Sequence, residues 1–443
     1  MINVRFAPSP TGYVHVGNVR TALMNWLFAK QQGGTFMLRI DDTDVERSRS
    51  EYETAIEEDL RWLGLEWDEK TRQSDRMERY RTVQQELMQA GRIYACYETE
   101  EELEIKRKML MSRGKPPMYD RGALSLTDAQ KKAYEAEGRI PHYRFLMHDG
   151  DVVWNDMIRG EVRFQGQFLG DPVVVRADGV PLFTFASCVD DSDMGITHIL
   201  RGEDHVSNSA VQMQIFEAMG VVAPQMGHMA LLTMKDAKLS KRAGSASIRT
   251  MREEGFMPLP LLSYMAKIGT SDAIELAQEV KALIEAFDCA KFGRAPATFE
   301  QEELQRLNAK YLHQTQFDEV KGWLEAHHIQ ITEAFWLTIR ANLTQLADVA
   351  MWWDMIHQPV TPVIEDVEYC TLAASLLPEG VWEVARWQEF IEVMKQTTGR
   401  KGKSLFMPLR LALSAREDGP ELPTLFVLLG HDKVKQRLLG MTI

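Results

Sequence analysis

The sequence predicts an α/β fold that is interrupted by an α+β insertion and followed by an all-α C-terminal region. Strand-like and helix-like segments alternate from the N-terminus, which is typical of a parallel sheet covered by helices. The alternation stops between about residues 94 and 180. After about residue 301 the hydrophobic pattern is helical, without clear strands. We therefore predict five parts, which span residues 1–93, 94–180, 181–242, 243–305 and 306–443.

The individual elements follow from hydrophobic spacing. Residues 2–6 alternate as in a strand and lead through a Pro- and Gly-rich turn to 19–29, where apolar side chains recur at helical spacing. Residues 35–40 are a second predicted strand, and 50–63 a helix with acidic residues on its exposed face. The same pattern resumes after the insertion, at 182–189.

Composition restricts the class of protein. Hydrophobic residues make up 45% and charged residues 26% of the chain, as in ordinary soluble domains. The net charge of -13 disfavours nucleic-acid binding by the surface as a whole, but it allows a local basic face. The four cysteines form no Cys-x-x-Cys pair, and no signal-peptide core or long apolar run occurs. We expect a cytoplasmic protein without a membrane span.

The first candidate site connects the first strand to the first helix, from Ser9 to Asn18. Small residues, Gly17 among them, would let a phosphate approach the backbone N–H groups at the start of the helix. The His15 ring can donate a hydrogen bond to a phosphate oxygen. An ordinary connecting loop with an incidental histidine explains the same residues equally simply.

A basic loop is the second candidate site. Lys238, Lys241 and Arg242 lie beside Gly244, after an apolar run at 229–234 that can end a strand at the ligand edge of the sheet. Three neighbouring cations can neutralise a triphosphate and stabilise departing pyrophosphate. A solvated basic loop is the alternative.

Carboxylates follow the second predicted strand. Asp41 stands where a carboxylate can bind a substrate ammonium group or a metal ion. The residues from Asp42 to Asp44 are at least as well explained as a helix-capping turn. The same two alternatives apply to Asp190, Asp191 and Asp193.

Two arginines at predicted strands are candidate carboxylate ligands. Arg201 directly follows a strand-like stretch, and a guanidinium can bind a carboxylate through two parallel hydrogen bonds. A buried ion pair with Glu203 or Asp204 is the alternative. Arg5, on the first predicted strand, allows the same two interpretations.

Two basic clusters can follow an RNA backbone, although solvated helix faces are the commoner meaning of such runs. They comprise Lys106, Arg107, Lys108, Arg113 and Lys115 in the insertion, and Lys395, Arg400, Lys401, Lys403 and Arg410 near the C-terminus.

Together these segments resemble bacterial glutamyl-tRNA synthetases, which are class I aminoacyl-tRNA synthetases. The text from Phe6 to Gly17 looks like the HIGH region of that family, and KLSKR from Lys238 looks like its KMSKS loop. Further similar blocks are LRIDDTD from Leu38, WLGLEWD from Trp62, THILRGEDH from Thr197 and GKSLFMPLR from Gly402. The resemblance runs in order from Arg5 to about Arg437.

The resemblance implies a Rossmann-like catalytic domain with a KLSKR loop, an insertion that binds the tRNA acceptor end, a stem-contact region and a helical anticodon-binding region. It implies a monomer that ligates L-glutamate to the 3′ end of tRNA through glutamyl-adenylate, with ATP and Mg²⁺, and adenylate formation in this family generally requires bound tRNA. Carried over residue by residue, it gives catalytic roles to His15, Lys238 and Lys241. It gives ATP binding to Ser9, Gly17, Asn18, Lys238 and Lys241, and glutamate binding to Arg5, Ser9, Asp41, Phe183 and Arg201.

Departures from the family pattern bear on the substrates. The usual Glu of the LRIEDTD block is Asp41, and a usual Tyr is Phe183, which lacks a hydroxyl hydrogen bond worth about 1 kcal/mol. Where many members have an arginine that helps read the third anticodon base, this chain has Gly380 and its neighbours. We expect altered discrimination, so that tRNA(Gln) is accepted besides or instead of tRNA(Glu). The zinc-site cysteines of many members are missing around Cys96, so we expect no structural zinc.

A non-catalytic tRNA-binding paralogue is the main alternative, because Asp41 and Phe183 depart from the family pattern. The intact His15, Gly17 and two lysines favour an enzyme, since RNA binding alone does not need both halves of an ATP site. The helical pattern after about residue 301 disfavours two related enzymes. These are the truncated enzyme that glutamylates a modified tRNA base and the glutaminyl-tRNA synthetases with C-terminal β-barrels.

Overall fold

The chain divides into two compact units. One contains Met1–Met251 and Leu261–Glu300, and the other contains Arg252–Pro260 and Gln301–Ile443. The computed structural model describes residues 1–114, 116–234, 247–380, 382–417, 419 and 421–443. The five-part division of the chain stays a prediction.

The first unit begins with a parallel three-stranded sheet. Strand β1 (Asn3–Phe6) pairs with β2 (Thr35–Ile40), which pairs with β3 (Glu69–Arg72), and both pairings are parallel. Helix α1 (Val16–Gln31) connects β1 to β2, and α2 (Ser50–Trp62) connects β2 to β3. Parallel neighbours need such crossover helices. The predicted alternation of strands and helices is therefore confirmed.

The insertion is a mixture of helices and antiparallel strands. Its elements, from the helix that precedes it, are α3 (Met77–Gln89), β4 (Ile93–Cys96), α4 (Glu100–Ser112), α5 (Asp128–Ala136), β5 (His142–Phe145), β6 (Asp151–Asp156), β7 (Gly160–Gln165) and β8 (Val173–Val175). Strands β4, β5 and β8 form one antiparallel sheet, and β6 and β7 form a hairpin.

Strand β7 ends at Gln165. A 3₁₀ turn occupies Gly166–Phe168, where Leu169 N donates a hydrogen bond to the Gly166 carbonyl at 3.0 Å. A Cβ atom at Gly166 would lie only 2.0 Å from the His148 carbonyl oxygen, so no larger residue fits this turn without rearrangement.

The α/β pattern resumes with a second parallel pair. After α6 (Phe183–Asp193), strand β9 (His198–Gly202) leads through α7 (Val206–Ala218) to β10 (Gln225–Met229), which pairs with β9 in parallel. This pair adjoins β1, because Thr197 N donates to Asn3 O at 2.8 Å and Asn3 N donates to Thr197 Oγ1 at 2.9 Å. The two halves of the predicted α/β domain thus meet across the insertion.

The described strands and α-helices between β10 and residue 300 are short. They are β11 (Leu232–Met234), β12 (Ala297–Phe299), and the helices Ile248–Glu253, Pro258–Lys267 and Val280–Ala286. The apolar run predicted at 229–234 thus contains the end of β10 and all of β11.

The core of the first unit lies between α1 and the parallel strands. Val4, Leu23, Leu27, Phe36 and Leu38 have no exposed surface. Each such side chain contributes about 1.5–3 kcal/mol when it leaves water. This packing fixes the carboxyl ends of β1 and β2 relative to the N-terminus of α1.

The second unit is helical in the described residues. Its helices are Gln301–Leu312, Phe317–Ala326, Glu333–Ile339, Asp348–His357, Val367–Ser375, Val384–Thr398, Lys403–Ser414 and Leu422–Leu438. Large aromatic side chains form its centre, with Trp336, Phe390 and Phe426 at most 2% exposed. The last helix is kinked at Gly430, which has a φ of 71°. Of all the helices described, none has the length and apolar character needed to cross a membrane.

Candidate active site

The loop from Ser9 to Asn18 ends in a cap at the N-terminus of α1. The His15 Nδ1 atom accepts a hydrogen bond from Gly17 N at 3.1 Å, and His15 N donates to Asn18 Oδ1 at 3.3 Å. Such reciprocal bonds fix the entry of a chain into a helix. Ser9 and His15 are both exposed, so neither is part of the core.

The cap determines which ring nitrogen of His15 can act on a ligand. Desolvation lowers the pKa of His15 below its ordinary value, so the ring is neutral near pH 7. Because Nδ1 accepts from Gly17, Nε2 carries the proton in this arrangement. His15 therefore presents a neutral N–H donor beside the first backbone amides of α1.

Gly17 is required for this ring position. A Cβ atom at Gly17 would lie 3.0 Å from His15 Cε1 and 3.1 Å from His15 Nδ1. Ordinary carbon contacts are about 3.5–4.0 Å, so any side chain here would displace the ring.

The chain returns to His15 directly after the basic loop. Ser247 forms an antiparallel bridge with His15, and Ile248 N donates to Val14 O at 3.1 Å. The predicted catalytic residues Lys238 and Lys241 lie outside the described residues.

A buried network of charges lies at the ends of β1 and β2. Arg39 Nη1 donates to Asp191 Oδ1 at 2.6 Å, and Arg39 Nε donates to Asp41 Oδ1 at 2.7 Å. Arg5 Nε donates to the same Asp191 oxygen at 3.1 Å. These four side chains are at most 5% exposed. For Arg5, the structure therefore shows the ion pair that was one of the two sequence interpretations.

Burial and pairing have opposite effects on the two carboxylates. Burial raises the pKa of Asp41 to about 6, against the lowering effect of Arg39. Burial would also raise the pKa of Asp191, but the charges of Arg5 and Arg39 outweigh it and lower this pKa. Sequence reasoning missed Arg39, although an arginine between the apolar Leu38 and Ile40 was a visible signal.

The neighbouring acidic residues have structural partners. Asp190 accepts hydrogen bonds from Tyr80 OH at 2.8 Å and from Arg76 Nε at 2.6 Å. Asp42 accepts a hydrogen bond from Ser74 N at 2.8 Å, at the first residue of the short 3₁₀ helix Ser74–Arg76. The partner of Asp42 thus lies 32 residues away and not in α2, whose N-cap residue is Arg49.

Arg201, at the end of β9, is buried without a carboxylate partner among the described residues. Its Nη2 donates to Ser209 Oγ and Gln212 Oε1, each at 2.5 Å, and its Nε donates to His228 Nε2 at 3.4 Å. Its Nη1 is buried and has no hydrogen-bond partner in the described part of the chain. Burial, followed by the nearby charge of Arg5, lowers the pKa of Arg201 to about 10.

The predicted ion pair of Arg201 with its sequence neighbours is wrong. Glu203 instead accepts from Arg159 Nη1 at 2.7 Å, and Asp204 lies 3.7 Å from His205. The reason is that Arg159, on the turn of the β6–β7 hairpin, takes the carboxylate that sequence proximity had assigned to Arg201.

Comparison with known proteins gives the family. Residues 1–306 match the family described as tRNA synthetases class I (E and Q), catalytic domain, and residues 369–441 match an anticodon binding domain. The chain is 50% identical over 442 residues to the glutamate–tRNA ligase 1 of Maricaulis maris, covering 99% of both chains. It is 49% identical to the glutamate–tRNA ligase of Azospirillum brasilense, covering 100% of this chain and 99% of that one.

The chain belongs to the class I tRNA synthetases for glutamate and glutamine. A solved structure of a glutamate tRNA ligase from Elizabethkingia meningosepticum, in complex with its amino acid, has a TM-score of 0.83 and 27% identity. A glutamate-tRNA synthetase structure from Elizabethkingia anophelis has a TM-score of 0.83 and 28% identity. Each match covers 99% of this chain and 98% of the other. The predicted class I catalytic domain and anticodon-binding region are confirmed.

The departures from the family pattern occupy defined places. Phe183 is the first residue of α6, and its ring centroid lies 5.4 Å from that of His205. Gly380, in the helical unit, has a φ of 103°, and a Cβ there would lie 3.8 Å from Arg386 Nη2. A guanidinium thus stands beside Gly380, although it comes from six positions later in the sequence.

The basic clusters are partly neutralised by neighbours. In the C-terminal cluster, Arg400 pairs with Asp366 at 2.7 Å and Lys395 with Glu392 at 2.6 Å. In the insertion, Lys106 pairs with Glu98 at 3.2 Å. No group of three or more potential metal ligands is found within the described residues.

Proposed function

We propose that this synthetase ligates L-glutamate to the 3′ end of tRNA through glutamyl-adenylate, with ATP as the second substrate. The observation that carries the proposal is the buried guanidinium of Arg201, which has no hydrogen-bonded carboxylate among the described residues. Relatives named glutamate–tRNA ligase, which are similar over almost the whole chain, support the same substrate. A monomeric, cytoplasmic enzyme remains part of the proposal.

Arg201 fits the side-chain carboxylate of glutamate. A buried donor without a partner costs about 1–3 kcal/mol, and more if it is charged, so the vacant Nη1 needs a functional explanation. An incoming carboxylate would satisfy Nη1 and neutralise the guanidinium at the same time. Arg5 and Asp41 bind protein partners, so we assign them to fixing the pocket wall beside the substrate.

The start of α1 fits the phosphates of ATP. The His15 N–H donor, the exposed Ser9 and the first amides of α1 offer hydrogen bonds to phosphate oxygens. Gly17 leaves the backbone open, and Asn18 acts through the cap of His15. Lys238 and Lys241 would add the positive charge that stabilises the transition state.

Mg²⁺ would arrive with ATP. The described residues contain no cluster of three metal ligands, so we propose that the phosphate oxygens of ATP would hold most of the coordination sites of the ion. When bound, the ion neutralises charge on the polyphosphate. Zinc has no part in the proposal.

The first experiment measures tRNA-dependent ATP–pyrophosphate exchange with L-glutamate. We expect exchange in the wild type, and we expect Arg201→Lys to raise the KM for glutamate tenfold or more, because lysine cannot reproduce the guanidinium fork. Arg437→Lys is the matched control, since Arg437 is equally buried but donates to Leu413 O in the helical unit. Its KM for glutamate should equal that of the wild type.

Absence of exchange with every tRNA tested would favour the non-catalytic paralogue. An unchanged KM in Arg201→Lys would refute the assignment of the carboxylate site. Lys241→Ala should slow adenylation strongly and leave tRNA binding nearly intact. Lys281→Ala, a change at an exposed lysine, serves as its control.

We infer that acceptor choice is altered at Gly380. Charging of purified tRNA(Glu) and tRNA(Gln) tests this, and strict specificity for tRNA(Glu) would contradict it. The proximity of Arg386 adds a second variant, because Arg386→Ala should change the ratio of the two charging rates if this guanidinium contacts the anticodon.

A further inference from the structure

The partners that orient Arg201 are all neutral, unlike those of the other arginines nearby. Arg5 and Arg39 donate to carboxylates, whereas Arg201 donates to a hydroxyl, an amide oxygen and an imidazole nitrogen. The three partner side chains, Ser209, Gln212 and His228, are at most 1% exposed. This arrangement holds the guanidinium in place without a directly bound carboxylate from the part of the chain that the structure describes.

The imidazole partner is itself held by a carboxylate from the insertion. His228 Nδ1 lies 2.5 Å from Asp156 Oδ2, and Asp156 Oδ1 accepts from His228 N at 3.1 Å. Asp156 is the last residue of β6 and is 2% exposed. Its Oδ1 also accepts from Arg159 N at 3.0 Å, so the carboxylate joins the hairpin turn to β10.

These contacts determine the tautomer of His228. Asp156 is an acceptor, so the ring proton lies on Nδ1 and Nε2 offers its lone pair. A proton on Nε2 would instead face the Arg201 Nε–H donor, which is 3.4 Å away. Burial lowers the pKa of His228, which agrees with a neutral ring. Ser209 Oγ lies 2.7 Å from Nε2 and completes a chain of hydrogen bonds from Asp156 to Arg201.

We infer that Asp156 and His228 are positioning residues that hold Arg201 through a neutral imidazole and Ser209, so that the pocket selects an anionic over an amide side chain. This inference rests on the proposed function. A carboxylate bound directly to Arg201 would orient it equally well, but it would cancel the charge that distinguishes glutamate from glutamine. Because the imidazole of His228 lies between the Asp156 carboxylate and Arg201, the guanidinium keeps its orientation and its charge is not neutralised by direct contact.

The test separates positioning from general stability. In tRNA-dependent exchange, His228→Leu should raise the KM for glutamate about tenfold or more, because Arg201 loses an acceptor while kcat changes less. His228→Gln keeps an amide oxygen that can accept from Arg201, so its KM should stay within about threefold of the wild type. The ratio of the inhibition constant of L-glutamine to the KM of glutamate should fall in His228→Leu and recover in His228→Gln.

If His228→Leu does not fold, Ser209→Ala tests the same series of hydrogen bonds with a smaller change of side chain. It should raise the KM for glutamate and lower the glutamine-to-glutamate ratio. Ser263→Ala is the matched control, since Ser263 is equally buried and its hydroxyl accepts from Ala277 N, outside this network. That variant should leave both quantities unchanged.

The outcomes distinguish this inference from the proposed function. If folded Ser209→Ala and His228→Leu keep the wild-type KM and glutamine discrimination, the positioning role is wrong while the enzyme assignment stands. The role is also wrong if His228→Gln is impaired as much as His228→Leu. If the wild type shows no exchange with glutamate, the proposed function fails first and the inference falls with it.

Discussion

Gly17→Ala should slow adenylate formation while it leaves the free energy of unfolding nearly unchanged. The new Cβ would lie 3.0 Å from His15 Cε1, so the ring must move by roughly 0.5 Å to reach an ordinary contact. The same shift would lengthen the 3.1 Å bond from Gly17 N to His15 Nδ1 past the range of a hydrogen bond. Because a 1 Å misplacement can cost about a hundredfold in rate, half that distance corresponds to about tenfold.

The stability of Gly17→Ala should change little. Alanine in place of glycine favours a helix by up to about 1 kcal/mol, and loss of the capping bond costs about 0.5–1.5 kcal/mol. We therefore expect a free energy of unfolding within about 1 kcal/mol of the wild type, measured by urea denaturation, with tenfold slower ATP–pyrophosphate exchange.

Gly322→Ala is the control for this prediction. Gly322 lies inside the helix Phe317–Ala326 of the second unit, and a Cβ there meets nothing within 4 Å. It should stabilise the protein by about 1 kcal/mol and leave exchange unchanged. Exchange by Gly17→Ala within twofold of the wild type would refute the role given to the His15 ring.

Three further predictions concern buried charges and the amino-acid pocket. Asp191→Asn should lower the free energy of unfolding by about 3–5 kcal/mol in urea denaturation, because it leaves two buried guanidiniums with one fewer carboxylate. Phe183→Tyr should lower the KM for glutamate about fivefold if the pocket can use the restored hydroxyl, and an unchanged KM would show that it cannot. Burial disfavours the charge of Asp156, but hydrogen bonds from His228 and nearby backbone lower its pKa from 3.8 to about 2. Its stabilisation is therefore complete above pH 3.8 and lost as the pH falls towards 2. Asp156→Asn should remove about 2 kcal/mol of the acid sensitivity in that window, as measured by urea midpoints.

The local elements were predictable because hydrophobic spacing is a local property. Helix α2 was predicted at 50–63 and spans Ser50–Trp62, and β2 agrees over its whole length. Helix α1 begins at Val16, three residues before the predicted 19–29, because His15 caps it while Gly17 and Asn18 interrupt the apolar spacing of its first turn. Periodicity cannot detect a cap of this kind until the hydrogen bonds are known.

The buried ionic partners were not predictable from the sequence. Arg39 sits on a strand with parallel neighbours on both sides, and such strands are buried on both faces. In a strand with alternating apolar and polar residues, the same arginine would be predicted to be exposed to solvent. Its partner Asp191 is 152 residues away, and the imidazole that supports Arg201 is held by a carboxylate 72 residues away. Ion pairs between residues so far apart in the sequence depend on the topology of the fold, which local secondary-structure propensity cannot predict.

The hydrogen bonds between Asn3 and Thr197 also bear on how the protein is made. The two residues are 194 positions apart, and at about 5–20 residues per second a ribosome needs roughly 10–40 s to bridge that interval. During that time the outer edge of β1 has no partner from β9, and an open edge can pair with other chains. The proposed ATP and glutamate sites, at the start of α1 and around Arg201, therefore come together late in synthesis, after the whole insertion has been translated. Slow translation and chaperones that cover open strand edges should accordingly matter more for the first unit than for the helical one.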